Sequence, residues 1–236
     1  SQKMDLYEIS AQNNNPDSLF NLGIKYYFGL NIEKNIEKSI EYFEAAAKLN
    51  HHHALNSMGY FYLEGIGVKK DYLKAKEYFE KSANQYNSTA LYNLGAIFES
   101  GKGVKQDYGM AFKYYSLSAK LNNPRAQNSL GIYYDKGYGI KRDYSKAMAY
   151  YILSAEQNYS YSMINLAYLY KNGVVFVKDM RIARYYYELA AQQFNHFAYL
   201  SLGNLYAEDF KDYLKARYYY EKACEYGNTE AYFHLG

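Results

Sequence analysis

The chain has 236 residues, 49% of them hydrophobic, and a formal charge of +3 from 27 basic and 24 acidic side chains. It is apolar enough to bury a sizeable core, which excludes a disordered chain, and too evenly charged for a strong polyanion binder. No run of about 18 apolar residues occurs, so the segment contains no membrane span.

Tyrosine is used heavily, with 34 copies against no tryptophan and two prolines. Cys224 is the single cysteine and has no internal disulfide partner, which favours a reducing, cytoplasmic compartment. The opening SQKMDL is no leader, so secretion, the periplasm or the ER lumen stay open if a signal peptide has been removed.

Read from the N-terminus, residues 1–14 are the end of a repeat helix, and six units follow at 15–50, 51–86, 87–122, 123–158, 159–194 and 195–227, with 228–236 starting another. The register is carried by Leu22-Gly23, Met58-Gly59, Leu94-Gly95, Leu130-Gly131, Leu166-Ala167 and Leu202-Gly203, each 36 residues after the last, then Leu235-Gly236 after 33. An aromatic recurs at Tyr26, Tyr62, Phe98, Tyr134, Tyr170 and Tyr206, and a capping residue at Asn35, Asp71, Asp107, Asp143, Asp179 and Asp212. A small residue follows at Ser39, Ala75, Ala111, Ala147, Ala183 and Ala216, then a tyrosine at Tyr42, Tyr78, Tyr114, Tyr150, Tyr186 and Tyr219.

Each unit reads as two helices. In the fourth, Pro124 suits a first helical turn, and Ala126, Leu130 and Tyr134 recur every four residues along helix A. Gly137 and Gly139 stop it; Asp143 caps helix B, whose Ala147, Tyr150, Tyr151, Ser154 and Ala155 share one face. Two such helices cannot bury these faces alone, so the units must stack, with glycine and alanine admitting tyrosine rings. The paired glycines are therefore punctuation. A dinucleotide fingerprint needs a third glycine where Arg142 stands and a preceding strand, and related turns recur at Gly65, Gly67, Gly101 and Gly103.

The stretch ALYNLGAIFESGKGVKQDYGMAFKYYSLSA, residues 90 to 119, resembles the Sel-1-like repeat, a relative of the tetratricopeptide repeat, and the likeness extends over nearly the whole chain. The resemblance implies an all-α fold, an α/α right-handed superhelical solenoid of about six 36-residue helix-turn-helix repeats, with helix A on the concave side. It also implies a non-catalytic adaptor that gathers other proteins, without cofactor. The chain starts within a helix B equivalent and stops at a Leu-Gly, which reads as an excerpt of a longer array.

Chemistry-bearing residues have plainer readings. His51, His52 and His53 lack a supporting metal motif and read as an inter-repeat turn. Cys224 stands in the column of Ala47, Ala83, Ala119, Ala155 and Ala191 and reads as packing. No nucleophile elbow or acid/base pair appears, so no catalytic residue, metal site or small-molecule substrate is expected. In the Tyr185–Tyr187 and Tyr218–Tyr220 runs, only Tyr185 and Tyr218 fall outside the packing columns.

Partner contacts are expected on helix A, at positions three before and one after the glycine column: Asn56, Tyr60, Tyr92, Asn128, Ile164, Tyr168, Leu200 and Asn204. The apolar loop Val174, Val175, Phe176, Val177 either folds back over a neighbouring helix or offers a second contact. The leading expectation is a scaffold that binds a protein or peptide. A single-stranded RNA-binding helical repeat is the alternative, against which the near-balanced charge argues, as is a regulatory or recruitment segment of a longer chain of the bacterial host-interaction or ER quality-control type.

Overall fold

A computed structural model describes residues 6–235; residues 1–5 of the expected first helix, and Gly236 of the last Leu-Gly, lie outside the described residues. Among the described residues there is no strand. The helices form two compact units, one ending at Asn123 and one beginning at Pro124. The first contains α1 (Leu6–Gln12), α2 (Pro16–Phe28), α3 (Ile36–Lys48), α4 (His52–Glu64), α5 (Tyr72–Ala83), α6 (Ser88–Ser100) and α7 (Tyr108–Lys120). The second contains α8 (Pro124–Lys136), α9 (Tyr144–Glu156), α10 (Ser160–Asn172), α11 (Met180–Ala191), α12 (His196–Asn204) and α13 (Tyr213–Glu225). Even-numbered helices from α2 onward are the A helices; α13 and the odd-numbered helices from α3 to α11 are the B helices. Within each unit an A helix packs on the B helix that follows it, and that B helix on the next A helix.

The helix-B cap column does two jobs. Asn35, Asp71, Asp107, Asp143 and Asp212 each accept the backbone N–H three residues on, and Asp179 accepts those of Arg181 and Ile182, which satisfies donors a helix start leaves open. Each cap's own N–H donates back to helix A, to the carbonyls of Tyr26, Tyr62, Phe98, Tyr134, Tyr170 and Tyr206. The hairpin is thereby closed at a fixed point. In the sixth repeat three residues are missing from the loop, yet Asp212 N–H still reaches Tyr206 O at 2.9 Å. The shortening is absorbed in helix A: α12 stops at Asn204 and the backbone widens into a π turn over Leu205–Asp209.

The turn glycines are helix stops. Gly65 has φ +73° and donates its N–H to Phe61 O at 2.8 Å, the left-handed geometry that glycine adopts without strain. Its companion Gly67 is also left-handed and lies so close to Ile40 that an added Cβ would meet that side chain at 2.6 Å. In the first repeat Asn31 takes the second position at φ +57°.

Two aromatic columns link each hairpin. The outer column stacks nearly parallel on the helix-A aromatic, as in Tyr134–Tyr150 with centroids 5.8 Å apart and planes at 6°, and Tyr26–Tyr42, Tyr62–Tyr78, Phe98–Tyr114, Tyr170–Tyr186 and Tyr206–Tyr219 repeat it. Lysines 38, 74, 146 and 215 lie over the helix-A ring of their own repeat, 4.3 to 5.3 Å from its centre. The inner column, one residue later, presses on the glycine of helix A. A Cβ on Gly131 would lie 2.4 Å from the Tyr151 ring, and Gly23, Gly59, Gly95 and Gly203 meet Phe43, Phe79, Tyr115 and Tyr220 in the same way. Tyr115 and Tyr151 are fully buried. A third link is polar: the hydroxyls of Ser82, Ser118 and Ser154 donate to the carbonyls of His52, Ser88 and Pro124 at 2.6–2.7 Å.

Candidate partner-binding surface

In the first unit the A helices frame an apolar groove of about 240 Å³ between α2 and α4. Phe20, Ile24, Tyr27 and Phe28 from α2 form one wall, Asn56, Ser57 and Tyr60 from α4 the other, and the buried rings of Phe43 and Phe61 the floor. Positions 20, 24, 27 and 28 share one stripe of a 3.6-residue helix, as do 56 and 60. Phe28 is 65% exposed and Tyr60 44%, so the walls face solvent. Asn56 accepts a hydrogen bond at Oδ1 from Asn93 Nδ2 of the next repeat, at 3.0 Å, which holds its amide at the groove edge.

Two of the residues expected from the sequence, Asn56 and Tyr60, therefore come together in this groove. Tyr92, further along the same unit, packs its ring 5.5 Å from Tyr115. Phe20 and Ile24, absent from the expected residues, fall in the same two columns of the first repeat and line the groove; the 36-residue spacing alone finds them.

The second unit presents the same columns differently. Asn128 is only 7% exposed and accepts Asn165 Nδ2 at 3.0 Å, so its amide is a buried strut. Leu200 is buried in the core, Ile164 packs against that core, and Asn204 Oδ1 accepts the Tyr220 hydroxyl at 2.9 Å. Tyr168, 51% exposed, is the expected position that projects from this face.

The loop Val174–Val177 divides in two. Val174 and Val175 pack against the core around Tyr151 and Leu169, whereas Phe176 leans on Tyr170 with centroids 6.3 Å apart and Val177 is 89% exposed. Val175 stands where Gly67 and Gly103 are left-handed, a conformation a β-branched residue avoids, so this loop takes another path.

The histidines cap and pack. His51 is the N-cap of α4, with Nδ1 accepting Ala54 N–H at 3.2 Å and Nε2 lying 3.0 Å from Asp17 Oδ1. His52 and His53 are already helical, which corrects their reading as turn residues. Phe20 stacks on the His51 ring at 4.7 Å. Burial lowers the pKa of His51 and His53, opposed in both by Asp17 and for His51 most directly through its hydrogen bond. Among the described residues no group of three or more His, Cys, Asp or Glu is placed to hold a metal ion, and Cys224 packs beside the second unit's core. Among the described residues no helix is long and apolar enough to cross a membrane. Tyr185 and Tyr218 are exposed on the B helices.

The Sel1 repeat model matches residues 16–51, 52–87, 88–123, 124–159, 160–193 and 196–228. No curated protein matches the sequence significantly. Among solved structures, a Sel1 repeat protein from Oxalobacter formigenes superposes with a TM-score of 0.85 at 28% identity, over 94% of this chain and 91% of that one. The protective antigen c5321 of uropathogenic Escherichia coli strains, which displays an SLR fold, gives 0.77 at 29% identity over 97% of this chain, which spans 50% of that chain's length. The immunity protein Pa5087 from Pseudomonas aeruginosa gives 0.61 at 19% identity, over 91% of this chain and 83% of that one, a likeness of fold alone. Proteins built from Sel1 repeats are in general protein-interaction scaffolds and typically non-catalytic. With six matches spread over most of its length, and helix pairs of the same construction in both units, the chain belongs to the Sel1 repeat family.

Proposed function

We propose that this chain is a non-catalytic interaction scaffold that binds a peptide segment or partner domain on its A-helix surface. The observation that carries the reading is the open apolar groove between α2 and α4, walled by Tyr60 and Asn56 and floored by buried rings. A fold can bury apolar side chains in its core; leaving Phe28 and Tyr60 at a groove mouth costs solubility unless something covers them. The A-helix columns of the second unit contribute Tyr168 to the same kind of surface, while Asn128 and Leu200 are buried and Asn204 accepts the Tyr220 hydroxyl. Asparagine amides and tyrosine rings suit a polypeptide, with its alternation of amide groups and apolar side chains.

Photoreactive phenylalanine analogues placed one at a time at Tyr60, Tyr168, Tyr185 and Tyr218, in cells of the native host, test the reading. Cross-links to polypeptide are expected from positions 60 and 168 on the A helices and not from 185 and 218 on the B helices. Cross-linking confined to the B-helix positions, or to nucleic acid, overturns it.

A further inference from the structure

We propose that the groove between α2 and α4 takes a peptide segment presenting one bulky apolar side chain with a lysine or arginine beside it. This rests on the reading of the A-helix surface as an interaction face and names the chemistry of what it receives. The volume comes first. At about 240 Å³ the groove suits one or two large side chains and not the face of a folded domain. Phe20, Ile24, Tyr27 and Tyr60 offer that side chain an apolar seat, and Asn56 is the polar group at its edge. With Asn56 Oδ1 engaged by Asn93, the Asn56 amide N–H groups are left to donate to a peptide carbonyl.

Charge supplies the second half of the argument. Asp17 sits one helical turn before Phe20, with its side chain 79% exposed, and Glu64 sits one turn after Tyr60, so a carboxylate stands at each end of the groove. The A helices of this unit, α2, α4 and α6, hold three carboxylates, at Asp17, Glu64 and Glu99, against one cation, Lys25. Lys25 belongs to the column that Phe61 and Ile97 fill with core side chains, not to the groove stripe. Among the described residues, the unit's remaining lysines are carried by B helices and loops. One of these shows how the groove treats a cation: Lys34 Nζ lies 5.5 Å from the centre of the Tyr27 ring. An arriving acidic peptide meets two like charges at the rim against the single cation Lys34; a basic one meets two opposite charges and, beyond the Tyr27 ring that Lys34 covers, the aromatic faces of Phe20 and Tyr60.

The test uses three fluorescein-labelled nine-residue probes, read by anisotropy against the whole chain: a leucine-phenylalanine centre flanked by lysines, the same centre flanked by glutamates, and a serine centre flanked by lysines. The lysine-flanked apolar probe is expected to bind roughly fivefold tighter than the glutamate-flanked one, an advantage that shrinks as salt is raised, because rim charge pairs are each weak and screened. The serine probe is expected not to bind measurably. Phe28→Ser with Tyr60→Ser is expected to abolish binding, and D17K with E64K to reverse the preference at unchanged helical content. Equal binding of the two apolar probes, a preference for glutamate, no binding by any probe, or binding that survives the Phe28→Ser, Tyr60→Ser change overturns the proposal. If cross-links from Tyr60 reach polypeptide while the probes fail, the scaffold reading stands and only this chemistry falls; if both fail, the surface itself is misassigned.

Discussion

The A helices of the two units are built on one column pattern and put it to different uses. Before Asn123, the position three residues ahead of the glycine column holds Phe20 and Asn56 at the walls of an open groove; after Pro124, it holds Asn128 and Leu200, both buried. The asparagine pairs make the point most directly, since Asn93–Asn56 and Asn165–Asn128 share one 37-residue spacing and one distance of 3.0 Å. A column therefore fixes where a side chain starts from and who its neighbour is. Whether it ends in core or at solvent depends on what the flanking columns bring.

The layer beneath is indifferent to that distinction, and it is where the largest effects lie. A Cβ added at Gly59 would lie 2.6 Å from Phe79, and one at Gly131 2.4 Å from Tyr151, with neither ring free to retreat from its buried site. Gly59→Ala and Gly131→Ala are each expected to cost about 2–3 kcal/mol through overpacking, measured by urea denaturation followed by circular dichroism. Unequal losses would show that the two units do not share this layer. Ala167 in the fifth repeat proves that the column admits a methyl group when its surroundings are built for one.

The asparagine pairs sharpen the contrast. Asn165→Ala removes the donor to a buried Oδ1 on Asn128, which water cannot replace easily, and is expected to cost about 1–3 kcal/mol. Asn93→Ala leaves Asn56 half-exposed at a groove mouth, where water substitutes, and is expected to cost about 0.5 kcal/mol. Equal costs from the two variants would remove the distinction drawn between the two faces.

The inter-repeat turns give a smaller and opposite effect. They need a left-handed residue, and Asn14, Asn50, Asn122 and Asn158 supply it at φ between +55° and +63°. Tyr86 and Phe194 occupy the same position at +59° and +58°. Tyr86 is highly exposed, so Tyr86→Asn is expected to stabilise by about 1 kcal/mol through relief of that strain. Phe194 stacks on Tyr226 with centroids 5.3 Å apart, a contact worth about as much as the strain, so Phe194→Asn is expected to leave stability within about 0.5 kcal/mol of the parent.

Most of the fold was legible because it is written six times: the Leu-Gly step, the helix-B caps and the aromatic columns are redundant, so one unusual residue does not hide them. Asp143 as a cap and Pro124 as a helix start follow from local backbone chemistry alone. The surface was less legible. Asn128 and Asn56 look identical in the repeat alignment, and only three-dimensional neighbours bury one and expose the other. Position 212 still marks the sixth helix B, but nothing local announces that α12 gives way to a π turn; that follows from a hydrogen bond, Asp212 N–H to Tyr206 O, that must close over a shorter loop. His51 falls in the inter-repeat turn as expected, but its capping role was not legible because a histidine at an N-cap is an uncommon choice, whereas the asparagines at 15, 87 and 195 in the same column state the role openly.

That cap column yields the smallest and most selective effect, because His51 titrates where Asn87 and Asn195 do not. Burial sets the folded-state pKa of His51 and of His53 below the ordinary histidine value of 6.5, with Asp17 pulling the other way in both. A lowered pKa means that the folded chain prefers neutral imidazole, so the stabilising contribution is present above 6.5 and is lost as pH falls through the folded-state value. Protonation also removes the Nδ1 lone pair that accepts Ala54 N–H and opens the cap of α4. The melting temperature is expected to decline modestly from pH 7 to about 5, above the range where exposed carboxylates titrate. His51→Asn, which restores the cap used elsewhere in the column, is expected to flatten most of that slope and to leave the neutral-pH value nearly unchanged. The same flattening from Asn195→His in the second unit would contradict the assignment, since a new histidine cap there is expected to introduce acid sensitivity.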